Sequence, residues 1–274
     1  MNKIISDIYD YKIKNGLVTI FRYKGLNDRI VIPNYIEGYP VTIIEKCAFQ
    51  NSNIKFVKFP YELKIVGKCA FANCKLKNVV LNQKLHIIRE GAFMNTKLEE
   101  IFFPKCITNI GDNAFENCLK LEKISFGKNN NKNGYLRIQS CAFKNCNIKN
   151  VKFPFSLISI ESESFANNLN LDFISFRNKL KYIGEKAFFR TKLNSLIIPD
   201  NIIRIENDAF KECDFNNMKD IIIPDKFHLN CIHVFGCIFK GNTNEEILKT
   251  FYKNYLNRKN RKSKIILFKS CYRI

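Results

Sequence analysis

The segment with the clearest metal-binding chemistry is "HLNCIHVFGC", residues 228–237. His228, Cys231, His233 and Cys237 are residue types that bind zinc. Their spacing, H-x2-C-x-H-x3-C, matches no standard zinc finger, and strand alternation would send neighbouring ligands to opposite faces unless the segment turns. The sequence therefore favours a degenerate last repeat here, with zinc binding as the alternative, and no cofactor is expected.

Residues that could act in covalent chemistry are few. Cys271 stands four residues from the end, where a prenyl acceptor would be, but Arg273 occupies a position that needs an aliphatic residue. We interpret Cys271 as an ordinary tail thiol. The sequence contains no Gly-rich phosphate loop, nucleophile elbow or fixed pair of carboxylates, and His86 has no partner that would make it a general base. We therefore predict that the protein is not an enzyme and has no small-molecule substrate.

The charge of the chain is strongly positive, with 45 Lys and Arg against 25 Asp and Glu and a net charge of +20. No acidic residue follows Glu246, and the segment "KNYLNRKNRKSK", residues 253–264, is densely basic. This tail could attach to nucleic acid or to an anionic membrane. The alternative is a solvated basic surface in a chain that is generally rich in Lys, Asn and Ile. Tyr252 and Tyr255 fit a helical apolar stripe more simply than base stacking.

Most of the rest of the chain consists of a sequence repeat. Ala-Phe pairs, with Ser replacing Ala once, recur at intervals of 22, 22, 22, 28, 22, 23 and 22 residues, ending at Phe49, Phe71, Phe93, Phe115, Phe143, Phe165, Phe188 and Phe210. An Ile or Val stands four residues before each Ala position, and a further mostly aliphatic column stands seven before it, with Tyr135 as its fifth member. A period of 20–29 residues with apolar columns indicates a solenoid whose coils share one core.

Each repeat is expected to contain a short strand. Between Phe and a frequent Pro lies L-x-x-I-x-F, as in "LEEIFFP", which alternates like a strand that the Pro then ends. Stacked coils would lie about 4.8 Å apart, so that the Phe column becomes a continuous buried spine. The Asn two residues after Phe should form a ladder that serves backbone groups at a turn, next to a column rich in small residues such as Cys74 and Cys118. The cysteines of the repeats, including Cys47, Cys69 and Cys141, are predicted to be structural.

The sequence predicts three segments. Residues 1–29 form an N-terminal β-hairpin cap around Asn15-Gly16, residues 30–240 form a solenoid of about eight repeats of 22–23 residues with an insertion at 127–134, and residues 241–274 form a C-terminal cap helix and basic tail. The capping box of Thr243 and Glu246 marks the expected start of that helix. The insertion is expected to be a solvent loop that is either inert or a functional lip.

The pattern I-x-x-x-A-F-x-x-C-x-x-L-x-x-I-x-I-P-x-x-L resembles the BspA-like leucine-rich repeat family, also described as the leucine-rich repeat type 5. The resemblance covers residues ~30 to ~240. It implies a curved right-handed solenoid of mainly short parallel strands, without catalytic activity, that binds other proteins or host surfaces. In such solenoids the strands line the concave side, where partners usually dock.

The residues between the buried positions of each strand are the candidate partner-binding residues. They are expected to point outward in columns, with apolar side chains among charges, as at an interface. The predicted set is Phe56, Lys58, Val80, Phe102, Lys152, Phe173, Ile197 and Ile222. The partner is an unidentified protein, and the sequence leaves the oligomeric state open.

The sequence shows no secretory signal and no run of about eighteen apolar residues, and its eleven cysteines are an odd number. We therefore expect an intracellular, cytoplasmic protein with reduced thiols. Many bacterial members of the family are secreted or attached to the surface, so a surface adhesin is the alternative, which requires a signal peptide upstream of Met1.

Overall fold

The computed structural model describes residues 5–127 and 134–213, together with the backbone of 220–222. The repeats fold into the coils of a β-solenoid, and each regular coil contributes two short strands and a turn at the Ala-Phe pair. One helical turn, α1 (Ile5–Ile8), precedes the strands and is the sole helix among the described residues. The mainly parallel solenoid expected from the sequence is confirmed; the predicted C-terminal helix lies outside the described residues.

One sheet runs the length of the solenoid and begins with the predicted hairpin. The hairpin consists of β1 (Tyr9–Lys14) and β2 (Leu17–Tyr23), which pair antiparallel around a turn in which Asn15 and Gly16 both have positive φ. β2 then pairs in parallel with the first coil. The sheet order is β1-β2-β5-β7-β9-β11-β13-β15-β17-β19, and its coil strands are β5 (Tyr39–Ile44), β7 (Ile65–Val66), β9 (Ile87–Ile88), β11 (Asn109–Ile110), β13 (Leu136–Ile138), β15 (Leu157–Ile160), β17 (Tyr182–Ile183) and β19 (Arg204–Ile205). A two-residue strand, β4 (Tyr35–Ile36), pairs antiparallel with β5.

The L-x-x-I-x-F segments form the remaining strands, which we call the second strand row. They pair in parallel in three groups, β3-β6-β8, β10-β12-β14-β16 and β18-β20. Their bounds are β3 (Arg29–Val31), β6 (Phe56–Lys58), β8 (Asn78–Val80), β10 (Glu100–Phe103), β12 (Lys123–Phe126), β14 (Asn150–Lys152), β16 (Phe173–Ser175), β18 (Ser195–Ile197) and β20 (Asp220–Ile222).

The Phe column is a stacked aromatic spine. All eight side chains are buried, and neighbouring rings lie parallel with centroids 4.7 to 5.5 Å apart. The hairpin closes the first end of the spine, because Tyr23 stacks on Phe49 at 5.2 Å and Tyr9 meets the same ring edge-on at 6.3 Å. Each coil therefore buries apolar surface that it could not bury alone, which is the source of stability in a repeat protein.

The turn around the Ala-Phe pair needs two residues with positive φ in each coil. One stands directly before the Ala position and the other two residues after Phe, and in the first six coils the second is always Asn: Asn51, Asn73, Asn95, Asn117, Asn145 and Asn167, with φ of 57 to 60°. Asn tolerates this left-handed region better than other side chains. The amides also hydrogen-bond each other between coils; Asn145 Nδ2 donates to Asn117 Oδ1 at 2.8 Å and Asn167 Nδ2 donates to Asn145 Oδ1 at 2.8 Å.

The predicted asparagine ladder therefore exists, but its amides bond to each other. The side chains one residue after the ladder position hydrogen-bond to the backbone carbonyls of the preceding coil. Cys74 Sγ donates to Phe49 O, Cys118 Sγ to Phe93 O, and Asn168 Nδ2 to Phe143 O. In the last two described coils an ion pair replaces the ladder, with Arg190 Nε 2.7 Å from Glu212 Oε2.

Asn145→Ala should lower the free energy of unfolding by about 2 kcal/mol, since alanine resists positive φ and the amide hydrogen bonds are lost. Asn145→Gly removes the same hydrogen bonds but accepts the backbone conformation, so it should lose about half as much. Urea denaturation of both variants measures the difference. Equal losses would show that the left-handed turn contributes nothing to the choice of Asn.

The aliphatic column shifts by one residue at the insertion. Tyr135, predicted to be its fifth member, is 60% exposed, while Leu136 is fully buried and pairs with Leu157 of the next coil. The register shifts between Leu136 and Arg137, which pair with Leu157 and Ser159, so the bulge leaves Ile158 of the next coil as the extra residue. The rule that the buried column residue stands seven positions before Ala therefore points to Tyr135 in this coil, whereas the buried residue is Leu136, six positions before Ala142. The segment 128–133 of the predicted insertion lies outside the described residues.

Candidate functional site

The predicted binding residues lie on the second strand row in two neighbouring columns, with Phe56 and Phe173 in one column and the other six residues in the next. The parallel register pairs Phe56 with Asn78, Lys58 with Val80, Phe102 with Ser125, and Lys152 with Ser175. Between them on each strand lies a residue that points inward: Val57, Ile101, Val151, Ile174 and Leu196 are all buried. Alternation along the strand therefore turns the predicted residues outward.

Most of the predicted side chains are exposed. Phe102 is 52%, Ile197 54%, Val80 46% and Phe173 36% accessible, and Lys58 and Lys152 are exposed as well. Ile222 pairs in register with Ile197 along the backbone, but its side chain lies outside the described residues. Phe56, predicted to be exposed, is half-buried, because the Arg29 guanidinium lies over its ring at 4.7 Å from the centroid.

The exposed apolar residues form two pairs. Val80 and Phe102 stand at the same strand position on β8 and β10, and Phe173 and Ile197 occupy β16 and β18. The polar side chains of β12 and β14, which include Ser125, Asn150 and Lys152, lie between the pairs. Phe102 and Phe173 are three strand steps apart, about 14 Å along the stacking direction at the usual strand spacing, and they lie in neighbouring columns.

Charged side chains frame the apolar pairs. Lys123 lies 3.5 Å from Glu100 on the neighbouring strand, and Lys149 pairs with Glu122 at 2.5 Å just before β14 and β12 begin. At the first strands, Lys55 pairs with Asp28 at 2.9 Å. These pairs are exposed, so each adds roughly 0–1 kcal/mol to stability. The face therefore carries two apolar pairs with charged side chains beside and between them, and protein interfaces likewise combine apolar and polar groups.

One member of the outward column was missed in the sequence. Val31 of β3 is 65% exposed and pairs in register with Lys58, so it extends the column by one coil towards the hairpin. The signal was present, since "IVIP" at 30–33 repeats the I-x-F-P strand ending. It was overlooked because no Ala-Phe pair precedes it.

The metal, tail and lipidation sites considered from the sequence are not part of the described structure. Across residues 5–127 and 134–213, no three His, Cys, Asp or Glu side chains are grouped so that they could hold a metal ion. The proposed zinc residues 228–237, the basic tail and Cys271 all lie outside the described residues. No helix within the described ranges has the length and apolar character needed to cross a bilayer.

The buried cysteines of the repeats pack in the core. Burial raises the pKa of the Cys118 thiol to about 11 and that of Cys213 to about 12, and it holds the pKa of Cys146 well above its usual value. These thiols are therefore protonated at neutral pH and donate to backbone carbonyls of the preceding coil, as Cys146 Sγ does to Phe115 O at 3.2 Å. Their role in the fold is the structural one predicted.

The coil geometry, the aromatic spine and the regular strand row define a leucine-rich repeat solenoid. The family model for the BspA-type leucine-rich repeat region matches in six copies over residues 19–141 and 136–238, and the chain belongs to this family. Proteins built from these repeats are typically scaffolds for protein interaction or adhesion and are generally not enzymes.

Solved structures of bacterial leucine-rich repeat proteins share the fold. The protein TpLRR of T. pallidum is 24% identical, with a TM-score of 0.56 over 68% of this chain and 89% of its own. A leucine-rich repeat protein from Bacteroides ovatus is also 24% identical, with a TM-score of 0.54 over 81% of this chain and 67% of its own. No curated protein sequence matches the chain.

Proposed function

We propose that the protein is a non-enzymatic scaffold that binds a protein partner through the outward side chains of the second strand row. The observation that supports this most is the exposure of Val80, Phe102, Phe173 and Ile197 on the stacked strands of the second strand row. Exposing large apolar side chains to water is unfavourable, and a partner that covers them recovers roughly 25 cal/mol for each Å² of apolar surface buried.

The spacing of the two apolar pairs describes the partner. It should present two apolar contacts separated by about 14 Å along the stacking direction, with a polar surface between them that faces Ser125 and Lys152. Lys58 and Lys152 are exposed along the same column, so acidic groups on the partner would fit beside the apolar contacts. The rigid stacking of the coils keeps the two contact points at constant separation, which lowers the entropic cost of binding.

The test is capture of the partner by a triple variant, Lys58→Glu with Lys152→Glu and Phe102→Ala. We expect affinity purification followed by mass spectrometry to lose the partner, while the thermal unfolding midpoint stays close to that of the parent. All three side chains are exposed, so their replacement removes little packing.

A matched control lies along the first sheet. Lys64→Glu with Lys181→Glu and Ile203→Ala makes the same charge change and also removes one exposed apolar side chain. This control should capture the partner normally. Equal capture by both triple variants would contradict the proposed face, and equal loss in both would indicate attraction by net charge alone.

A second candidate function follows from the nine Lys and Arg residues after Glu246. They favour electrostatic attachment of the tail to nucleic acid or an anionic membrane. Deleting residues 258–274 should then abolish binding, and affinity should fall steeply as salt concentration rises. Binding that ignores both changes would eliminate this function.

A further inference from the structure

Two half-buried cysteines occupy the same turn position in the first two coils. The position directly before the Ala-Phe pair has positive φ throughout the described coils, with φ of 57° at Cys47 and 52° at Cys69. The residues at this position share no chemistry, since later coils have Gly, Asn, Cys, Glu, Lys and Asp there. Within the described coils, therefore, adjacent thiols occur in this column only at Cys47 and Cys69.

The backbone places the two residues at the separation that a disulfide needs. Cys47 N donates to Lys68 O at 2.9 Å and Phe49 N donates to Ala70 O at 2.8 Å, so the two coils are in register on both sides of the cysteines. Register at the usual strand spacing gives a Cα–Cα distance of about 4.8 Å. Native disulfides span roughly 4.4 to 6.8 Å between Cα atoms.

The side chains of this column lean towards the next coil. A Cβ on Gly91 would stand 3.0 Å from Cys69 Sγ, so the Cys69 sulfur points away from Cys47 and has to rotate about its Cα–Cβ bond before the two sulfurs can join. Cys47 has the same left-handed backbone conformation, so a Cys47 sulfur turned towards the next coil would face Cys69. Burial, followed by the charge of Cys47, raises the pKa of Cys69.

The remaining cysteines of the described coils are unsuited to this reaction. The sulfurs of Cys74, Cys118, Cys146 and Cys213 are buried, so a small disulfide cannot reach them. Cys106 is half-buried, and its thiol donates to Gln83 O at 2.9 Å and to Leu85 O at 3.1 Å. Cys141 shares the turn position and the φ of 56°, but its column neighbours are Asn113 and Glu163. It is therefore a natural control, a thiol in the same setting without a partner.

We propose that Cys47 and Cys69 form a dithiol site that exchanges with small-molecule disulfides and closes to a disulfide between the first two coils. The thiolate of one cysteine attacks the small disulfide, which forms a mixed disulfide and releases one small thiol. The thiolate of the second cysteine then attacks the protein sulfur of the mixed disulfide and releases the second small thiol. Two electrons and the two cysteine protons leave with the two released thiols.

The test uses the full chain, folded and reduced, incubated with oxidised glutathione and then alkylated and digested with trypsin. We expect peptide 47–55 linked by a disulfide to peptide 69–75, with fragmentation that assigns the bond to Cys69. Cys141 should carry only a mixed disulfide with glutathione. A bond from Cys47 to Cys74, or separate glutathione adducts on Cys47 and Cys69, would overturn the proposal.

Two variants separate the proposal from general thiol reactivity. In Cys69→Ser the mixed disulfide on Cys47 should last at least about ten times longer than in the parent chain, because no second thiolate resolves it. Cys141→Ser should leave the rate of Cys47–Cys69 closure unchanged. An equally short-lived adduct in Cys69→Ser would show that another group resolves it and would refute the pair.

Discussion

Phe115→Ala is expected to lower the free energy of unfolding by about 4 kcal/mol, in the range for removing a fully buried Phe from a core. The Phe115 ring is completely buried and stacks on Phe93 and on Phe143, both at 5.1 Å, while Phe103 meets it edge-on at 5.7 Å. Its removal opens a cavity between three coils, and the regular backbone hydrogen bonds on either side prevent the coils from collapsing into it.

Urea denaturation followed by circular dichroism measures this loss, with Phe102→Ala as the matched control. Phe102 lies on β10, and its side chain is 52% exposed. Its replacement should therefore change the free energy of unfolding by no more than about 0.5 kcal/mol. A loss below about 1 kcal/mol for Phe115→Ala would show that the spine is not the core of the solenoid.

Gly184→Ala should destabilise the protein by about 3 kcal/mol, although it adds only one methyl group. A Cβ at Gly184 would stand 2.4 Å from Ser162 N and 2.6 Å from Glu161 C, and both atoms belong to the backbone of the preceding coil. Neither atom can move without breaking the register, because Gly184 N donates to Ile160 O at 2.8 Å between the same two coils.

The matched control is Glu161→Ala, at the same position one coil earlier. Glu161 already has a Cβ, and its N donates to Ile138 O at 2.8 Å in the same arrangement. This variant should stay within about 0.5 kcal/mol of the parent in thermal or chemical denaturation. If Gly184→Ala is equally mild, the coils are spaced more loosely than the contacts indicate.

The features that could be predicted from the sequence are those that recur in every coil, because the same positions are buried in each one. The Phe spine, the Ile column and the alternation of L-x-x-I-x-F recur because every coil has to bury the same set of apolar side chains. A single sequence is enough to reveal such a repeat. The hairpin was predictable for a local reason, since Asn15-Gly16 suits a tight turn with positive φ.

Features that depend on contacts between coils were not predictable. The one-residue shift from Tyr135 to Leu136 follows from how the chain re-enters the core after the insertion, and residue counting cannot detect it. Phe56 is shielded by Arg29 of the preceding strand, a contact that the Phe56 strand alone does not encode. The left-handed position before each Ala-Phe pair accepts Cys, Gly, Asn, Glu, Lys and Asp, so no composition signal marks it.

Photo-crosslinking from single positions tests the proposed binding face most directly. A photoreactive phenylalanine analogue would replace either Phe102, on β10 of the second strand row, or Ile203, which immediately precedes β19 of the long sheet. Both residues are exposed and apolar, and the chains are otherwise unchanged. We predict that position 102 crosslinks to the captured partner and that position 203 does not. Crosslinking from position 203 with none from 102 would contradict a partner site on the second strand row.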